Sequence, residues 1–257
     1  MTNFNGYRWA FQITPNYSWW ESWAYRHCGS DVCLLVDEMD AQPTQFLFAS
    51  RHLEDLDDPQ DVADRAAALK ALMDGALTIR NSDFHPFPLE QLIGPQARRY
   101  GVLEGNPLVE PYSEKLLKKP LTYVYGDLSD QTDRLLFQSR HDRTTRDMLS
   151  FMGVNGATWI ALYAMRDYMR KNGWDDAKIG AASSRSAGDV SLFARTANNP
   201  AAIGPLARHG DQGHIPPPKP MTLELARGII LTAVAAFLGS RGDLIDIREI
   251  YRAARQS

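Results

Sequence analysis

The side chains best equipped for chemistry fall within twenty residues of one another. Arg195 and Asn198 are followed by Arg208-His209 and then by His214. A histidine gives or takes a proton near neutral pH. An arginine holds phosphate oxygens in a two-pronged fork and stabilises developing negative charge. Together they suit attack on a phosphodiester. No carboxylate cluster accompanies them to hold magnesium, so the chemistry expected is metal-independent. The plainer alternative is a polar loop whose histidines and Asp211 satisfy helix ends.

Two further clusters carry weaker signals. Arg140, His141, Asp142, Arg143 and Arg146 sit in a polar stretch, and Asp142 and Arg146 have the spacing of an i,i+4 pair. This is either a solvated helix face or a basic strip for nucleic acid, with Arg140 and Arg143 as its contacts. His27-Cys28 with Cys33 offers three ligands where a structural zinc needs four. The two cysteines are read as small buried hydrophobes beside a hairpin turn. No metal and no cofactor is expected. The chain lacks Gly-x-Gly-x-x-Gly, a Walker A loop, His-Glu-x-x-His and Gly-x-Ser-x-Gly.

These residues need elements to position them. Tyr7, Trp9, Phe11 and Ile13 alternate with polar or small residues, the period of a half-buried strand. Val32–Val36 and Gln45–Ala49 read as two more strands, and Tyr17–Tyr25 continues the aromatic β character. Nine aromatics in residues 1–25 form either a sheet core or a stacking platform for a ligand. A helix follows Asp57-Asp58-Pro59, with Val62, Ala66, Leu69, Leu72 and Met73 at helical spacing and Gly75 as its stop. Ala76–Ile79 reads as one more strand. Residues 81–120 carry six prolines and read as a connector packed on the surface.

The rest is helical in pattern. One helix runs from a cap at Ser129 toward Met152, broken or exposed at Gln138–Asp147. A second, amphipathic, stops at Asn172-Gly173. A third opens on a capping box at Ser186 and ends at Asn199-Pro200. A fourth starts at Thr222 and ends at Leu238-Gly239, and a last opens at Asp243. The expected fold is α+β: a small antiparallel β-sheet with a covering helix, then a helical bundle. The expected domains are residues 1–126 and 127–257.

Composition narrows the class. The chain has 257 residues, 44% of them apolar and 23% charged, with a net charge of −3. These proportions exclude collagen-like and intrinsically disordered chains. Residues 1–125 carry 11 basic and 17 acidic side chains, the remainder 17 and 14. The apolar run Gly228–Leu238 is 11 residues, short of the roughly 20 of a membrane span, and reads as a core helix. No apolar leader follows a basic start, so a cytoplasmic location is expected.

The helical half, roughly 130–257, resembles the HEPN superfamily of small helical bundles found in bacterial defence and toxin proteins. That family carries an Arg-x4–6-His motif, often with a polar residue after the Arg. Here Arg208-His209-Gly-Asp-Gln-Gly-His214 fits it, with His209 in the polar position. The resemblance implies a site of Arg208, His209 and His214 formed across a homodimer. It also implies RNA as the partner and a role in phage defence or beside an antitoxin. Arg195, Asn198, Arg140 and Arg143 are the expected nucleic-acid contacts. The alternative is a non-enzymatic interaction or ligand-binding module that uses the aromatic N-terminal sheet.

Overall fold

The computed structural model describes residues 6–14, 31–37, 45–117, 130–207, 215–243 and 245. Five short strands form one antiparallel sheet: β1 (Ala10–Ile13), β2 (Cys33–Asp37), β3 (Gln45–Ala49), β4 (Gln91–Ile93) and β5 (Arg99–Val102). Their order across the sheet is β2-β3-β1-β4-β5. Register follows the alternation of side chains. Ala10 pairs with Ala49 and Ile93, and Ala49 with Cys33, so these share one face with Leu35 and Leu47. Phe11 pairs with Phe48 and Leu92, and Phe48 with Leu34, on the other. All of these residues are buried, so the sheet has no wet face at its centre.

The expected α+β class is the observed one, and several boundaries differ. The stretch 81–120 is not a bare connector. It supplies β4 and β5, and it buries Phe84, Phe87, Tyr112 and Ser113. Its prolines flank the strands, which are too short to show a period. Cys33 is disulfide-bonded rather than a free thiol. Trp9 and Phe11 are core residues and offer no stacking platform. Phe4, Tyr17–Tyr25, His27 and Cys28 lie outside the described residues.

Helix α1 (Pro59–Arg80) runs through Gly75 and absorbs the strand expected at Ala76–Ile79. Gly75 is there for space. A Cβ on it would sit 2.0 Å from the Leu149 carbonyl oxygen. The short α2 (Glu114–Leu117) precedes α3 (Gln131–His141) and α4 (Arg143–Asn155). The expected break between α3 and α4 falls at Asp142, whose carboxylate accepts from the Thr145 backbone amide at 2.9 Å and caps α4. Asp130 caps α3 through the Thr132 amide. On α4, Gly153 meets α1: its Cβ would lie 1.8 Å from the Ala71 carbonyl oxygen.

Contacts divide the chain into two compact units. One holds Met1–Ala76, His85–Val154 and Ile245–Ser257, and the other Leu77–Phe84 with Asn155–Leu244. The boundary expected at 126/127 lies outside the described residues. The second unit is helical: α5 (Trp159–Lys171), α6 (Asp176–Ala182), α7 (Ala187–Ala197), α8 (Pro200–Ile203) and α9 (Leu223–Gly242). Each of α5, α6, α7 and α9 opens on a side-chain cap, from Thr158, Asp175, Ser186 and Thr222. The capping box expected at Ser186 is present, with Asp189 returning the bond. Helix α9 packs on α5 and α6. Its Phe237 meets Trp174 edge-on at 5.4 Å, and Trp159 stacks on Phe193 at 6.0 Å. It continues past Leu238 to Gly242, and the helix expected beyond Asp243 lies outside the described residues. Among the described helices α9 alone is long and apolar enough to cross a membrane; Ala226, Ile230, Ala233, Val234 and Phe237 of it are buried.

Candidate functional site

Arg208, His209 and His214 lie in 208–214, outside the described residues. The chain on either side of them is exposed, Leu206 at 57% and Ile215 at 92%. The far side is tied back to α7, where the Met221 amide donates to Thr196 Oγ1 at 3.1 Å. Arg195 stands exposed on the last turn of α7 and Asn198 closes that helix. Asn198 Oδ1 is buried without a hydrogen-bond partner. Asn199 caps α8 through the Ala201 amide. The structure thus brings Arg195 and Asn198 onto one helix end.

The other two expected contacts differ from each other. Arg143 is 88% exposed and pairs loosely with Asp147 at 3.8 Å. Arg140 is buried: it donates to Asp31 Oδ1 at 3.1 Å and to the Leu116 carbonyl at 2.9 Å. The stretch read as a solvated face is half core. Gln138 donates to Thr145 Oγ1, and Ser139 pairs with the Tyr112 hydroxyl at 2.6 Å. Arg146 reaches Glu110 at 2.7 Å and the Ser139 carbonyl. Partial desolvation of the His141 ring, and then Arg140, push its pKa below the ordinary value, so it adds no charge to a basic strip at neutral pH.

Around Arg140 lies a buried network that sequence reasoning missed. Ser50 caps a 3-10 turn at Arg51–Leu53 and thereby places His52. The Ser113 amide donates to His52 Nδ1 at 3.0 Å. A backbone N–H can only donate, so the ring proton sits on Nε2, which donates to Asp31 Oδ1 at 2.7 Å. Ser113 Oγ donates to Asp55, which also holds Arg65. Burial and the nearby Asp31 carboxylate push the Tyr112 phenol far up, so it stays protonated. The constellation contains Ser, His and Asp, yet it is no nucleophilic relay. The serine hydroxyl turns to Asp55 rather than to the imidazole, and His52 and Ser113 are each 1% exposed. It fastens the chain just ahead of β2, the 3-10 turn and α3 together.

The same unit carries a groove of about 480 Å³. Its lining includes Ala63, Ala67 and Ala71 of α1, of which Ala63 and Ala71 are buried and Ala67 is half-buried. Its walls are Phe87–Leu89 and Val102–Gly105, and it closes at Gly153-Val154. The second wall is pinned to α1: Gln60 donates to the Glu104 carbonyl at 2.8 Å, and the Asn106 amide to Asp64 at 2.9 Å. At the base, Lys70 is ion-paired with Asp74, and its ammonium lies 4.8 Å from the centre of the Phe87 ring.

Burial raises the Asp74 carboxyl from 3.8 to about 6, against the pull of Lys70. Between those values the folded state keeps a proton that the unfolded state releases. Stability therefore falls as pH rises from about 4 to about 6, by up to about 3 kcal/mol, and is level above. Urea unfolding of wild type and Asp74→Asn across pH 4–7 reads this directly. The variant should lose that part of the slope; identical slopes would refute the assignment.

Among the described residues, no three His, Cys, Asp or Glu side chains converge to hold a metal. Cys33, being disulfide-bonded, offers no thiolate. No protein-family model, curated protein or solved structure matches the chain.

Proposed function

We propose that this is a HEPN-like RNA-binding protein that cleaves RNA without a metal through its C-terminal unit. In this reading it acts as a cytoplasmic homodimer in phage defence or beside an antitoxin. The observation that carries the reading is the Arg208-x5-His214 pair, set in a helical unit and flanked by exposed chain. His214 takes the proton of the RNA 2′-hydroxyl. The 2′-oxygen bonds to phosphorus and the bond to the 5′-oxygen breaks. That oxygen leaves taking a proton from water, giving a cyclic phosphate and a 5′-hydroxyl, and His214 returns its proton to solvent. Arg208 holds the phosphate and His209 positions it. Arg195 and Asn198 of that unit contact the strand; Arg140, being buried, does not.

General acid–base help contributes at least about 100-fold. His214→Ala should therefore slow cleavage of a mixed RNA in excess EDTA by roughly that factor or more, with the melting temperature unchanged. No cleavage by wild type, or equal cleavage by both proteins, removes the enzyme. A second reading, favoured by the groove of about 480 Å³, makes the N-terminal unit a ligand-binding module. Its surface in this reading is the groove.

A further inference from the structure

The Lys70–Asp74 groove is the surface of the second reading above, on which this inference rests. Its volume of about 480 Å³ lies in the range of small-molecule sites. Alanines, Phe87, Pro88, Val102 and Val154 give it mostly apolar walls. The polar groups at its base are already neutralised as a pair: Lys70 is 12% exposed and Asp74 4%. A carboxylate brought to Lys70 would also face Asp74, and an ammonium brought to Asp74 would also face Lys70. Either would surrender its water for a site whose charges already balance. A neutral group escapes that cost. Lys70 has three N–H donors; Asp74 accepts from the ammonium, which also lies over Phe87. Donor capacity remains for one neutral acceptor.

We propose that the groove binds a neutral, chain-like apolar molecule through one carbonyl oxygen, as in an amide or ester of a medium-chain acid. The acceptor oxygen takes a hydrogen bond from Lys70, and the chain lies against Ala67 and the exposed Pro88, Val102 and Val154.

The test is titration calorimetry of the full chain at pH 7 with octanamide, octanoate and octylamine. Octanamide should bind saturably and at least about tenfold more tightly than either charged analogue, the scale of one hydrogen bond to a charged donor. Val154→Trp fills the groove from a residue 48% exposed, so it should abolish binding without disturbing the core. The double variant Lys70→Met/Asp74→Leu replaces the pair with apolar groups and should erase the preference for the amide. Binding lost in Val154→Trp, with octanoate or octylamine binding as tightly as the amide, would retain the groove and overturn the neutral-carbonyl assignment. No saturable binding by any of the three, or binding untouched by Val154→Trp, would overturn both.

Discussion

Arg140→Ala is expected to lower the unfolding free energy by about 3–5 kcal/mol, the usual cost of stranding one member of a buried ion pair. The guanidinium is 5% exposed and Asp31 6%. Asp31 Oδ1 accepts from both Arg140 and His52, while Oδ2 is buried with no hydrogen-bond partner. Removing Arg140 leaves a carboxylate in the interior with only a neutral imidazole beside it. Asp31→Leu/Arg140→Met removes both charges at similar volume and should recover most of the loss. Arg143→Ala, three residues on and 88% exposed, should change stability by less than about 0.5 kcal/mol. Urea midpoints on the four proteins decide the matter. A loss below about 1 kcal/mol for Arg140→Ala would mean the pair does not hold the fold.

Gly153→Ala should destabilise by about 3 kcal/mol or more, where a helical glycine replaced by alanine ordinarily gains about 1. The sign is the test. The new Cβ would stand 1.8 Å from the Ala71 carbonyl oxygen, and the matching one at Gly75 would stand 2.0 Å from that of Leu149. Ala71–Gly75 of α1 thus lies against Leu149–Gly153 of α4, antiparallel, with backbone touching backbone. A methyl at either glycine forces the axes apart, because a carbonyl in a helix cannot swing aside. The two substitutions should be less than additive, since the first already opens the space the second needs. A Gly153→Ala protein at or above wild-type stability would contradict the close crossing.

The glycines also show where the sequence misleads. Gly75 carries the mark of a helix end, and only the partner helix, some seventy residues later in the chain, reveals it as a contact point. Local signals read true: the box at Ser186, the stop at Asn172 and the break near Asp142 each depend on a few neighbouring residues. Long-range pairings did not read. Asp31 and Arg140 are 109 residues apart, and nothing near either names the other. The polar run at Gln138–Asp147 has the composition of a wet surface, yet four of its residues are buried because each finds an internal partner. The groove was equally illegible, since its alanines are ordinary helix formers until a strap of chain is laid across them.

Those alanines have a consequence for affinity. Alanine and glycine have no side-chain torsions to freeze, so a ligand in the proposed site would meet Ala67, Gly105 and Gly153 with no loss of rotamer entropy there. Immobilising a long side chain costs about 0.5–1.5 kcal/mol at a typical interface. At Lys70 much of that cost is already met, because Asp74 and the Phe87 ring hold it in place. The hydrogen-bond donor of the proposed site is thus set in place before anything arrives, and a small ligand would keep more of what that one contact yields.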